Sequence, residues 1–320
     1  MNHTSLYMIA LLLLFCLHPS AIAITTTTSP LVQGSILHVG GGGPNNYTTI
    51  QEAIDDAVDG DTIFIHVRAC PYFEHLTIDK SIDVIGEDKH AVLIDGSGEQ
   101  RVITIRGTEE VSVSRCTIAR GGTPEVFGYG IEIYDGVDVC IYDCIITDNN
   151  EGIHLNINTM ITKQSGEISL LNNTITHNSI GVYGENPCTI TGNIIANNTV
   201  GLDLAEGSKI IASNEFRDND IGIQTYNVKQ STIAENNFIQ NRIHTKLLKV
   251  LPVLLSPLLL SLRIHWERNY WDTWNSTTPR PIIGVGVLYV YLIIIQQPVL
   301  IFPTIQFDTN PVLEPYDVGG

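Results

Sequence analysis

Five residues of this 320-residue chain follow successive glycines at a constant offset. Glu132, His154, Tyr183, Asp203 and Gln224 lie two places after Gly130, Gly152, Gly181, Gly201 and Gly222. An acid, an imidazole, an aromatic ring, a second acid and an amide in one column could hold a sugar chain. The ring would offer a broad apolar surface to the C–H face of a sugar. The polar neighbours would orient its hydroxyls. Distance limits what the column could catalyse. On consecutive parallel strands about 4.8 Å apart, Glu132 and Asp203 would be about 14 Å apart. Paired glycosidase carboxylates sit at about 5–9.5 Å. His154 and Asp203 would be about 10 Å apart, too far for a base and its orienting carboxylate. The column holds no cation besides a protonated His154, whereas a polysaccharide lyase would want an Arg or Lys base near carboxylates holding calcium.

Short strands must position these residues, because one phrase recurs through the middle of the chain. Cys144-Ile-Ile-Thr-Asp-Asn149 is followed by units starting at Asn173, Asn193, Asn214 and Asn236, separated by 29, 20, 21 and 22 residues. A unit of this size cannot bury its own apolar face and must stack on its neighbours. Apolar residues sit two apart within each unit, as in Ile153 and Leu155 or Leu202 and Leu204. That is strand alternation, with Asn and Gly supplying the turns. The spacing predicts an all-β chain, a right-handed parallel β-helix, with Ile146, Ile175, Ile195, Phe216 and Phe238 as one inward column. From Asp61 to about Arg242, a mean repeat near 22 residues gives on the order of eight coils.

The Asn-x-Ile-x-x-Asn-x-x-Gly-Ile pattern resembles the parallel β-helix repeats of NosD-like proteins, a group often labelled carbohydrate-binding and sugar-hydrolysis domains. The likeness covers roughly residues 36–245 and resumes at Asn269-Tyr-Trp-Asp-Thr-Trp274 and Glu314-Pro-Tyr316-Asp. It implies the same fold and says less about activity, because many chemistries share this scaffold. The Asn-Thr-Asp and Gly-His-Gly motifs of β-helical polygalacturonases are absent. The NosD resemblance also raises copper-site assembly. Copper(I) favours thiolate and thioether ligands, yet beyond the leader the chain has one methionine, Met160, and no His-x-His. His154 and His177 occupy different repeat positions. No metal site is expected, and the sequence requires no cofactor.

Residues 1–23 read as a signal peptide, with an apolar run from Ile9 to Leu17 and a small-x-small site at Ala21-Ile22-Ala23. Residues 24–60 read as a linker and an N-terminal cap. Within the cap, Thr49 precedes a short helix, with Glu52 at the capping-box position and Ile50, Ala53, Ile54, Ala57 and Val58 on one face. That face can plug the open end of the coil. Residues 61–245 are the β-helix, and residues 246–320 an extension expected to form a β-rich C-terminal cap. Pro281 to Phe307 is 27 uncharged residues, long enough to span a bilayer. Its prolines and glycines, and the basic residues on its exported side, favour the cap over a span.

Five cysteines follow the leader, and the odd number forbids full pairing. Cys116 and Cys144 stand where later repeats place Asn and are expected to be small core residues; a disulfide is the alternative. The 17 basic against 34 acidic residues give a formal charge of −17, which repels phosphate backbones and excludes nucleic acid as a partner. The resulting expectation is a secreted or cell-surface β-helix that binds polysaccharide or a cell-surface glycan. A polysaccharide lyase or glycoside hydrolase is one alternative, and a copper-site accessory protein another. Mass spectrometry of the exported product should find Ile24 at its N-terminus; an intact Met1 in the membrane fraction would favour an anchor instead.

Overall fold

The computed structural model describes residues 34–43, 46–123, 126–134, 136–156, 166–228, 230–252, 264–291 and 296–318. The expected leader with its expected cleavage site, and most of the Leu-rich insert after Pro252, lie outside the described residues. No helix among them is long and apolar enough to cross a membrane.

The strands form a right-handed parallel β-helix with three faces. One coil shows the plan. Ser231–Ala234 lies on the first face, Asn237–Ile239 on the short second face and Ile243–Pro252 on the third. The second face is a nine-stranded sheet, with eight strands from Tyr72 to Ile239 and a ninth at Tyr270–Trp271. Eight coils are thus present over the stretch where the repeat length calls for eight. Parallel stacking runs on past Thr245, since Leu247–Pro252 pairs with Gly284–Tyr289. Arg280–Tyr291 then turns back as an antiparallel hairpin with Gln296–Asp308.

The inward columns follow the alternation. Ile146, Ile175, Ile195, Phe216 and Phe238 pair strand to strand, as the repeat predicts, and Trp271 extends the column. Phe216 stacks on Phe238 at 5.1 Å, and Phe238 on Trp271 at 4.2 Å. At the N-terminal end the helix Ile50–Asp56 plugs the coil with Ile50, Ala53 and Ile54 buried. Thr49 caps it by accepting the Glu52 N–H at 3.2 Å. Val58 does not join this face. The helix stops before it, and its side chain is exposed.

Asparagine holds the corners. In one ladder, Asn173, Asn193, Asn214, Asn236 and Asn269 are all buried. Each donates its backbone N–H and its Nδ2–H to the Oδ1 of the next, at 2.8–3.0 Å from Asn173 to Asn269. A parallel ladder runs through Asn149, Asn178, Asn198, Asn219 and Asn241. The residue before a ladder position takes the left-handed conformation, as at Asp143, Asn172, Ser213 and Glu235. The repeat glycines lie within strands and have a different task from the turns expected of them. A Cβ on Gly152, Gly181 or Gly201 would come within 2.4–2.6 Å of the glycine carbonyl oxygen one coil on. Glycine is there for close approach of backbones.

Cys116 and Cys144 occupy the first positions of the Asn173 ladder. Both are buried free thiols, with sulfurs 3.9 Å apart. At the other end the ladder finishes on a carboxylate. Asp308 Oδ2 accepts the Asn269 N–H, the Asn269 Nδ2–H and the Trp271 indole N–H, the last at 2.8 Å. Arg280 lies over the Trp271 ring at 4.1 Å. The Asn-Tyr-Trp segment thus serves as ladder, strand and core at once. Tyr316, from the second motif of the resemblance, exchanges two hydrogen bonds with the Asn237 side chain.

The last step of the second ladder is His244, buried, with Nε2 2.9 Å from Asp272 Oδ1. Burial lowers the His244 pKa; Asp272 opposes this and the Arg280 charge adds to it. The folded state therefore takes up this proton less readily than the unfolded chain. The His244 contribution to stability should be complete above the ordinary histidine pKa of about 6.5 and decline as pH falls below it. Urea midpoints of wild type and His244→Asn at descending pH measure this, and parallel curves would contradict it. Replacing Asn214 by Ala removes an acceptor shared by two Asn193 donors. It should cost on the order of 3 kcal/mol in chemical denaturation, since each stranded buried donor costs about 1–3 kcal/mol.

Candidate functional site

The third face carries the expected column. Glu132, His154, Tyr183, Asp203 and Gln224 are direct register partners on successive strands, from Tyr129–Tyr134 to Ile221–Tyr226. Thr77 and Thr104 continue it in one direction and Lys246 in the other. Eight side chains therefore follow one line of about 34 Å at the usual strand spacing. The glycine stack places the five from Glu132 to Gln224. It fixes where those strands start, and the offset of two then fixes which side chains point outward.

The middle of the line is a cluster of rings and acids. His154 and Tyr183 stack at 5.2 Å, and Tyr129 lies against the other side of His154 at 4.4 Å. Glu151 Oε2 is 2.6 Å from His154 Nδ1. Glu132 is almost completely covered; Arg101 Nε hydrogen-bonds its Oε2, and Asn156 Nδ2 donates to its Oε1 at 3.1 Å. Gln224 Nε2 donates to Asp203 Oδ2 at 3.1 Å. Beside this cluster opens a cleft of about 520 Å³, lined by His75, Thr77, Glu99, Arg101, Thr104 and Val126 among others. Its rim holds a second histidine–carboxylate contact, His75 Nε2 to Glu99 Oε2 at 3.2 Å.

The charges are tuned by this packing. Burial works against the Arg101 charge, but its hydrogen bond to Glu132 and the Glu132 charge outweigh that and raise its pKa. Burial raises the Tyr183 phenol, and the negative charges of Glu185, Asp203 and Glu151 raise it further. Tyr129 is raised in the same way, by burial and then by Glu151 and Glu132. Both tyrosines are therefore neutral hydrogen-bonding groups at neutral pH. Burial also raises the Asp203 carboxyl, against the Gln224 hydrogen bond and the Lys246 charge.

Two features of this face lie outside the column of five. The first is the carboxylate that orients His154. Asp203 is too distant, but Glu151 takes that role from the neighbouring column, the one directly before each repeat glycine. Reading Tyr129, Glu151, Ile180, Val200 and Ile221 as a second column would have found it, together with the Tyr129 ring. The second is a cation besides histidine, which none of the five column positions supplies. Arg101 reaches in from a strand whose unit has Val102 at the glycine position, so the repeat gives no sign of it. Glu132 is outward in register but is shielded by Arg101 and Asn156.

Comparison with curated proteins finds no match. Among solved structures, ORF18 of Geobacillus virus E2 aligns at 12% identity and a TM-score of 0.37, covering 76% of this chain and 57% of that one. The chain therefore spans little more than half of that protein's length. Pectin methylesterase PemA from Erwinia chrysanthemi aligns at 12% identity and a TM-score of 0.30, covering 68% of this chain and 78% of that one. The family described as periplasmic copper-binding protein (NosD) matches residues 54–249, more than half of the chain, and the protein belongs to that family.

Proposed function

We propose that this protein is an exported β-helix that binds a glycan along the third face. The observation that carries the reading is the ring stack of Tyr129, His154 and Tyr183, flanked on both sides by fixed hydrogen-bonding groups. Rigid aromatic rings bury apolar surface at small entropic cost. Asp203, Gln224, Thr104 and Arg101 lie within one or two strands of that stack and can meet hydroxyls. The periplasmic description of the family and the leader-like N-terminus support export.

A glycan array should yield a hit, and Tyr183→Ala should weaken it about tenfold or more, or about 1.4 kcal/mol. Folding should survive, because Tyr183 lies outside the core. Equal affinities for wild type and variant would sink the platform. New reducing ends or unsaturated products from a hit would replace binding alone with hydrolysis or lyase activity.

A further inference from the structure

A different constellation sits at the N-terminal end of the coil, away from the column. His38, on the strand Ile36–Val39, is register partner to Phe64 on one side and to Asn46 on the other. His66 follows the Phe64 strand directly. His38 Nδ1 and His66 Nε2 face each other at 3.0 Å, with the rings stacked at 5.2 Å. Phe64 packs edge-on against both, at 5.7 Å and 4.9 Å.

We propose that His38, His66 and Asn46 bind one divalent transition-metal ion. Two imidazoles on a tetrahedral ion, with bonds of about 2.0–2.1 Å, hold their nitrogens about 3.3 Å apart. The two rings are within a few tenths of an ångström of that spacing. The second nitrogen of His66 has the partner that metal-bound histidines favour: Glu87 Oε2 lies 3.5 Å from His66 Nδ1. Glu87 is itself anchored, since Oε2 accepts the Val67 N–H at 2.9 Å. A carboxylate beside Nδ1 favours the tautomer with its proton there, which leaves the Nε2 lone pair facing His38 for a metal.

Asn46 supplies the third donor. Its Nδ2 donates to the Gly43 carbonyl at 3.1 Å, which turns Oδ1 the other way. A Cβ on Gly41 would lie 2.4 Å from Asn46 Oδ1 and 3.0 Å from His66 Nε2. Those two atoms therefore border one small space that a side chain at position 41 would fill. Two imidazoles and an amide oxygen suit Zn²⁺, Cu²⁺ or Ni²⁺ rather than the thiolate-seeking Cu⁺. Water completes the coordination of an ion at such an open site.

The test is calorimetric titration of the whole protein with Zn²⁺ in metal-free buffer, with circular dichroism on every variant. Wild type should take up one ion per chain. His38→Ala and His66→Ala should each weaken binding by about a hundredfold or more, and Glu87→Gln, which leaves all three donors in place, by about tenfold. Gly41→Ala should block the space with both imidazoles intact. His177→Ala, a histidine on another coil, should change nothing. Failure of wild type to bind, or equal binding by the His38→Ala/His66→Ala double variant, would overturn the proposal. So would undiminished binding by both Glu87→Gln and Gly41→Ala.

Discussion

The asparagine ladders are the constraint on which the rest depends. Each amide is buried where water cannot serve it, and its oxygen is satisfied by two donors one coil away. A coil that slipped by one residue would strand those groups and turn its apolar side chains outward. The glycine stack depends on this register, because a Cβ at a repeat position would run into the backbone carbonyl one coil on. The Phe216–Phe238–Trp271 stack depends on it too, since its rings meet only in line. The outer surface then has no freedom left. Which side chains share a column was settled by what the inside requires.

This explains why so much was legible from sequence. A period of 20–29 residues, read with strand alternation, sufficed to place Ile195 inward and Tyr183 outward. Cys116 and Cys144 could be located because they fill ladder positions. Legibility failed where a residue acts across columns or outside the period. Glu151 reaches His154 along its own strand, three residues away, and Arg101 belongs to a coil without the repeat glycine. Asp308 returns to the ladder from the far end of an antiparallel hairpin, a pairing that no repeat encodes. Val58 continues the helical apolar pattern, but the chain leaves the helix at Ala57, where Asp61 takes the Val58 N–H.

The third face also shows what a site on this scaffold must manage. Strands about 4.8 Å apart crowd like charges in adjacent rows. The acids at Glu132, Glu151 and Asp203 are each held by a different partner: Arg101, His154 and Gln224. The rings between them leave an apolar strip with polar margins. In a protein of net charge −17, such a strip suits an uncharged ligand better than an anionic one.

Asp308 has a consequence for what happens at the end of the rod. Every asparagine in its ladder both accepts and donates, so each could in principle be followed by another. A carboxylate accepts and donates nothing. The side-chain half of the relay stops there, and only backbone groups could carry the stack further. Repetitive folds with open ends are prone to grow into fibres. An aspartate in the last ladder position withholds the amide donor that such growth would extend.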